Sequence, residues 1–185
     1  MVFCRAMTLL VILTALAGCG FQLRGAGLAE GLTYQLVSEQ NQPAGYADFQ
    51  LVLKATLGRA GVREASPADV TLRIKAFQAD TLDGAVNAQL RVAENISTAS
   101  LVVSVLDDKG NLLADELVLG RREAYRMDRS QLLGSYEQQT SVEQSLNQDL
   151  ADQILRALSV VMRSSATAAV TAERSIDSDA VRDAP

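Results

Sequence analysis

The sequence predicts an α+β domain in which two amphipathic helices pack on one face of a roughly four-stranded sheet. Three observations lead there. Apolar residues recur every four positions in two long segments. Other segments alternate with period two or run rich in Val, Ile, Thr and Ser. Clusters of Gly, Pro, Asn and Asp separate them. A chain of 185 residues allows one domain with short appendages, and 48% hydrophobic residues are enough to build its core. Aromatic residues make up only 4%, so that core must consist mainly of Leu, Val, Ile and Ala.

The elements follow in order. Leu32 to Ser38 reads as a first strand, with Leu32, Tyr34 and Leu36 on one side. Asn41, Pro43 and Gly45 mark a loop. Tyr46 to Ala60 reads as the first helix, because Phe49, Leu53 and Leu57 form a stripe, and Gly61 before Val62 fits its C-terminal cap. Ser66-Pro67-Ala68-Asp69 is a break. Val70, Leu72, Ile74 and Ala76 then alternate with Thr71, Arg73, Lys75 and Phe77, which predicts a strand with an apolar face and a polar face. Asp83-Gly84 suggests a turn, and a long strand runs from about Gln89 to Leu106. Asp107 to Asn111 closes a hairpin onto a return strand, Leu112 to Tyr125.

Asp128 to Gln131 looks like the cap of a short helix ending near Gly134. Thr140-Ser141-Val142-Glu143 has the capping-box pattern, and Val142, Leu146, Leu150 and Ile154 carry the stripe of a second helix, Ser141 to Arg163. From 164 to 185 the composition of Ser, Thr, Ala, Asp and Arg has no period and predicts a disordered tail. The open face of the sheet should then carry polar residues such as Thr71, Arg73 and Lys75.

Residues 1–18 read as a signal peptide. Arg5 precedes an apolar run from Met7 to Leu16, interrupted by Thr8 and Thr14, about half the length that a spanning helix needs. The run ends in Leu16-Ala17-Gly18-Cys19, which resembles the lipobox of bacterial lipoproteins. That resemblance implies cleavage before Cys19, N-acyl and S-diacylglycerol groups on Cys19, and stable anchoring by two or more acyl chains. Gly20 follows where the Gram-negative sorting rule puts Asp for inner-membrane retention, so the implied address is the outer membrane, facing the periplasm.

Charge and residue counts exclude several functions. The formal net charge is −5, and residues 1–18 hold Arg5 but no acid, so the mature domain, 19–163 with its tail, is more acidic still. An acidic chain is a poor match for nucleic acid. Both cysteines, Cys4 and Cys19, lie in the first 19 residues, so the folded body has no disulfide framework. The chain has no His, which removes His-based triads, His-liganded zinc and imidazole bases. No metal site and no separate cofactor is expected. Asp107, Gly110 and Asn111 lack the spaced carboxylates of a calcium loop. Asp115 and Glu116 are adjacent in a strand and should point to opposite faces, so they should not share a cleft as a glycosidase pair does.

Three stretches together resemble the LPS-assembly lipoprotein LptE family: Cys19-Gly20-Phe21-Gln22-Leu23-Arg24-Gly25; Arg122-Glu123-Ala124-Tyr125 with Asp128 and Leu132-Leu133-Gly134; and Asp149 to Leu158 in the closing helix. The likeness spans most of 19–163 in element order. It implies a non-enzymatic protein that plugs the outer-membrane β-barrel LptD, helps it fold and assists lipopolysaccharide delivery to the cell surface. It also implies basic contacts to lipopolysaccharide phosphates, for which Arg91, Arg121 and Arg122 are the candidates here, with Arg126 and Arg129 nearby. Two other readings stand beside it: a lipid-anchored cell-wall hydrolase using carboxylates, and a freestanding lipoprotein that binds a soluble ligand. Cys19→Ser should abolish acylation and release the protein from the membrane fraction; intact-mass analysis and fractionation check this, and unchanged mass and retention would refute the lipobox reading.

Overall fold

A computed structural model of the protein describes residues 31–39, 42–84, 94–126 and 132–180, with side chains of the last segment given from 134 to 167. Its elements are β1 (Thr33–Ser38), α1 (Tyr46–Arg59), β2 (Arg63–Glu64), β3 (Val70–Asp83), β4 (Glu94–Asp107), β5 (Leu112–Arg126) and α2 (Leu132–Ala180). The sheet order is β2-β1-β3-β4-β5, with β1 parallel to β2 and β3 and the remaining pairs antiparallel. Both helices lie on one face. The α+β class therefore stands, with a fifth strand. That strand escapes a reading by periodicity because it is two exposed residues, held by Arg63 N–H donating to the Leu32 carbonyl at 2.9 Å and Ala65 N–H to the Tyr34 carbonyl at 3.0 Å.

The core forms where the stripes meet the sheet. Phe49, Leu53 and Leu57 of α1 are fully buried, as are Leu150 and Ile154 of α2. They close over Val70, Leu72 and Ile74 of β3 and Leu101, Val103 and Val105 of β4. Phe49 stacks on Phe77 with centroids 5.1 Å apart, and Tyr46 meets Phe77 edge-on at 5.7 Å, geometries that aromatic quadrupoles favour. The end of α1 is a Schellman turn: Gly61 sits at φ 84°, Val62 N–H donates to the Leu57 carbonyl, and Gly61 N–H donates to the Gly58 carbonyl. Val62 then drops into the core at 1% exposure, which is the apolar contact this motif uses. The hairpin turn is held by Asp107, whose carboxylate accepts from the amides of Lys109 and Asn111 and from the Asn111 side chain, while Gly110 takes the left-handed position at φ 83°.

Three sequence expectations are corrected. First, the alternation of β3 breaks at Lys75, where the register with β4 skips a residue between Ile74 and Ala76. This β-bulge shifts the phase, so Ala76 is exposed and Phe77 is buried. The strand also continues to Asp83. Second, α2 is one helix. It begins at Leu132 and passes through Gly134 and the predicted capping box without a break. Thr140 Oγ1 donates back to the Tyr136 carbonyl at 3.1 Å instead of capping, and Gln139 pairs with Glu143. A capping box needs free amides, and here preceding turns already use them. Third, the helix passes its expected end at Arg163 and runs on to Ala180, into the stretch that composition assigns to a tail. Ser164, Ser165 and Thr167 hydroxyls bond carbonyls of the preceding turn. The signal peptide, Cys19 and residues 85–93 lie outside the described residues.

Deleting the packing of α2 on the sheet should be costly. Leu150→Ala should lower unfolding free energy by about 2–5 kcal/mol, whereas Leu51→Ala, at an exposed position of α1, should change it by under about 0.5 kcal/mol. Urea unfolding at constant m-value measures both.

Candidate functional site

One face of the sheet is covered by helices, so the other face and the free edge are the surfaces available to a partner. The pairing registers define rows across the open face. Gln78, Ser100 and Gly120 form one row; Asp80, Thr98 and Arg122 form the next; Leu82, Ile96 and Ala124 form a third. Ala76, Val102 and Val118 make a fourth row, which is apolar. The face is therefore mixed rather than wholly polar as the sequence suggested, and Val118 and Leu82 are 74% and 63% exposed.

A charged network crosses this face near the hairpin. Lys75, displaced by its bulge, reaches over β4 to Asp115 Oδ1 at 2.9 Å and Glu116 Oε1 at 3.2 Å. Between them Ser104, fully buried, donates to Asp115 at 2.8 Å and accepts from the Glu116 amide at 3.4 Å. Opposite Ser104 the β5 register also slips, and Glu116 takes φ 47°. The strand-alternation argument for Asp115 and Glu116 is thereby overturned. The bulge turns both carboxylates toward one ammonium. Chemically the pair remains unlike a hydrolase pair, because neither carboxylate stands free. Lys75 and Ser104 hydrogen bonds hold the Asp115 carboxyl below the usual range, so it is not a proton donor near neutral pH. Lys75 is raised by the same contacts and stays charged.

The basic candidates do not converge. Arg121 points to the helix side and its Nε donates to Asp149 Oδ2 at 3.0 Å. Arg122 is on the open face, in the row of Thr98. The two guanidinium groups therefore cannot form one phosphate fork. Arg91 lies outside the described residues, as does Cys19. Arg122 and Arg126 meet no carboxylate within ion-pair distance among the described residues. On the helix side, a cleft of about 340 Å³ opens between the start of α1, α2 and the β3–β4 pair. Asp48 and Glu143 flank it and Phe77 and Leu146 floor it, a lining that disfavours an anionic ligand. Among the described residues no group of three or more His, Cys, Asp or Glu could hold a metal ion, and no helix is long and apolar enough to cross a membrane.

This arrangement is similar to solved bacterial structures. A minor lipoprotein from Acinetobacter baumannii superposes with a TM-score of 0.56 at 22% identity, over 69% of this chain and 90% of that one. An uncharacterized lipoprotein B from Nitrosomonas europaea gives 0.62 at 15%, over 76% and 90%. The rare lipoprotein B from Shewanella oneidensis gives 0.53 at 14%, over 76% and 98%. At these identities the likeness is one of fold. No family model matches the chain, and no curated protein matches it.

Three carboxylates tie the open-face and turn geometry to pH. Side-chain and amide donors lower the pKa of Asp69 (from Thr33), Asp107 (chiefly from Asn111) and Asp115 (chiefly from Lys75). A group with a depressed folded-state pKa stabilises the fold above its unfolded value, and the contribution disappears as pH falls through the folded value. The melting temperature should therefore fall as pH drops below about 4. The combined Asp69→Asn, Asp107→Asn and Asp115→Asn variant should decline less steeply over that window; equal slopes in pH-dependent thermal melts would contradict this.

Proposed function

We propose that the mature chain is a lipid-anchored outer-membrane lipoprotein that acts without catalysis as a plug and assembly partner of the barrel LptD, and so serves lipopolysaccharide delivery. The observation that carries the reading is the one-sided core: the helices complete it from one side, and a long, mixed polar and apolar sheet face is left open among the described residues. Large barrels have polar lumens. A body placed in one needs a self-sufficient core and an outer surface able to form many hydrogen bonds.

Three further points support it. Leu16-Ala17-Gly18-Cys19 fits lipid attachment at Cys19, and the motif from Cys19 to Gly25 resembles the LptE family. The structures of similar fold carry lipoprotein names. The carboxylate pair Asp115 and Glu116 is engaged by the one ammonium of Lys75, which counts against the hydrolase reading. Direct lipopolysaccharide contact, if made through Arg122, would use a single guanidinium, since Arg121 serves Asp149 on the other face.

The full-length lipidated protein, extracted in mild detergent, should bring down a large outer-membrane β-barrel in roughly equal amount. A clean pull-down without a barrel would exclude the role, and substrate turnover by cell-wall glycan would favour the hydrolase.

A further inference from the structure

We infer that the free edge of β5 is a docking site for an extended, acidic strand of the barrel partner, which would join the sheet as its sixth strand. This rests on the barrel-partner reading and specifies how the two proteins meet.

The sheet has two edges, and they differ. β2 is two residues long. β5 is 15 residues long and largely exposed. The register fixes which of its backbone groups are free. Gly84 N–H donates to the Glu94 carbonyl at 2.8 Å, so Glu94 turns its backbone toward β3. Backbone direction alternates with period two, so Ile96, Thr98 and Ser100 do the same, and Asn95, Ser97, Ala99 and Leu101 turn toward β5. Their partners are Tyr125, Glu123, Arg121 and Leu119. Val118, Gly120, Arg122, Ala124 and Arg126 are left to point their N–H and C=O groups outward. Gly120 agrees: its carbonyl accepts from Gln153 Nε2 of α2 at 3.5 Å, a contact at the limit of hydrogen bonding. Among the described residues this is the one outward group of the set with a recorded partner.

Natural proteins usually blunt such an edge. Here the bulge at Asp115 and Glu116 interrupts one end, but the stretch from Leu117 to Arg126 is regular. Its outward residues also present their side chains to the open face. A strand added there would find an apolar contact at Val118, close approach at Gly120, and two guanidinium groups, Arg122 and Arg126, that form no ion pair among the described residues, although Glu94 of β4 stands opposite Arg126. Main-chain bonds give such additions affinity and alternate side chains give specificity. Charge decides the occupant. The chain as a whole is acidic at −5, yet among the outward residues of this edge, Val118, Gly120, Arg122, Ala124 and Arg126, the charged ones are both Arg, so the edge favours carboxylates at the positions facing Arg122 and Arg126.

The geometry offers a selective test. Val118 N–H is not bonded to β4, so Val118→Pro removes an outward donor and blocks addition while leaving the β4–β5 ladder whole. In full-length protein co-expressed with the barrel, Val118→Pro should reduce recovered barrel at least about tenfold with the melting temperature kept. Arg122→Glu with Arg126→Glu provides a second variant that does not touch the backbone, and it should weaken recovery as well. A photo-crosslinker at Ala124 should capture the barrel. Undiminished recovery with both variants, and no crosslink from Ala124, would overturn the edge while leaving the plug role intact. Absence of any barrel with the unmodified protein would overturn both. A crosslinked product of two copies of this chain would assign the edge to self-pairing and overturn the inference.

Discussion

Among the described residues the sheet buries only one of its faces, because both helices lie on the same side. From this constraint the rest follows. Strands β3 and β4 at the centre must carry apolar residues toward α1 and α2, and they do so with almost no exposure at Val70, Leu72, Ile74, Leu101 and Val103. The opposite side faces no element among the described residues and needs no continuous apolar surface. It can therefore hold charged and small residues at little cost to stability, and its composition is free to answer to a partner. A polar surface is normal for a soluble domain. Less ordinary is that two polar cross-strand rows, Gln78-Ser100-Gly120 and Asp80-Thr98-Arg122, lie between two apolar ones, Ala76-Val102-Val118 and Leu82-Ile96-Ala124.

Two irregularities shape the open side, and each depends on the other. The bulge in β3 pushes Lys75 out of the alternation, and the bulge in β5 gathers Asp115 and Glu116 opposite Ser104. Lys75 spans β4 to meet both acids. Exposed ion pairs of this kind contribute little to stability by themselves. Their consequence is geometric. The β3 bulge places Phe77 in the core beside Phe49 and Tyr46, and the β5 bulge ends the regular ladder so that the free edge begins at Leu117. Slippage in β3 thus determines the aromatic contact inside, and slippage in β5 the length of edge outside.

The fold was largely legible where a stripe or an alternation was long. Phe49, Leu53 and Leu57, and Val142, Leu146, Leu150 and Ile154, were readable as buried faces because a helix buries every fourth residue whatever it packs on. Gly61 with Val62, and Asp107 to Asn111, were readable because these residues create their turns through local bonds. Signals that depend on other strands were not readable. Nothing in Ile74-Lys75-Ala76-Phe77 marks a bulge, since the skipped residue is defined by β4. The capping-box pattern at Thr140 was a true local preference that lost to helix continuation, as Val142 is buried within one uninterrupted stripe. Adjacent basic residues misled in the same way. Arg121 and Arg122 look like one patch in sequence, but a strand sends them to opposite faces.

The same geometry bears on how a small acidic body could serve at a membrane. Acyl chains on a leading cysteine would fix where the protein sits but not what it touches, because a lipid anchor constrains distance from the bilayer and not orientation. Orientation has to come from the folded part. A face with two polar rows between apolar ones, bounded by the outward backbone groups of β5, would supply direction: hydrogen bonds along the edge would set the axis, and Arg122 and Arg126 the register. An edge of this kind is a hazard for a protein free in solution, where it invites pairing with any strand. Anchoring limits that hazard by restricting the encounters to neighbours in the same membrane, and a partner that occupies the edge removes it. The exposed strand is thus best explained as a surface that is covered in the working protein.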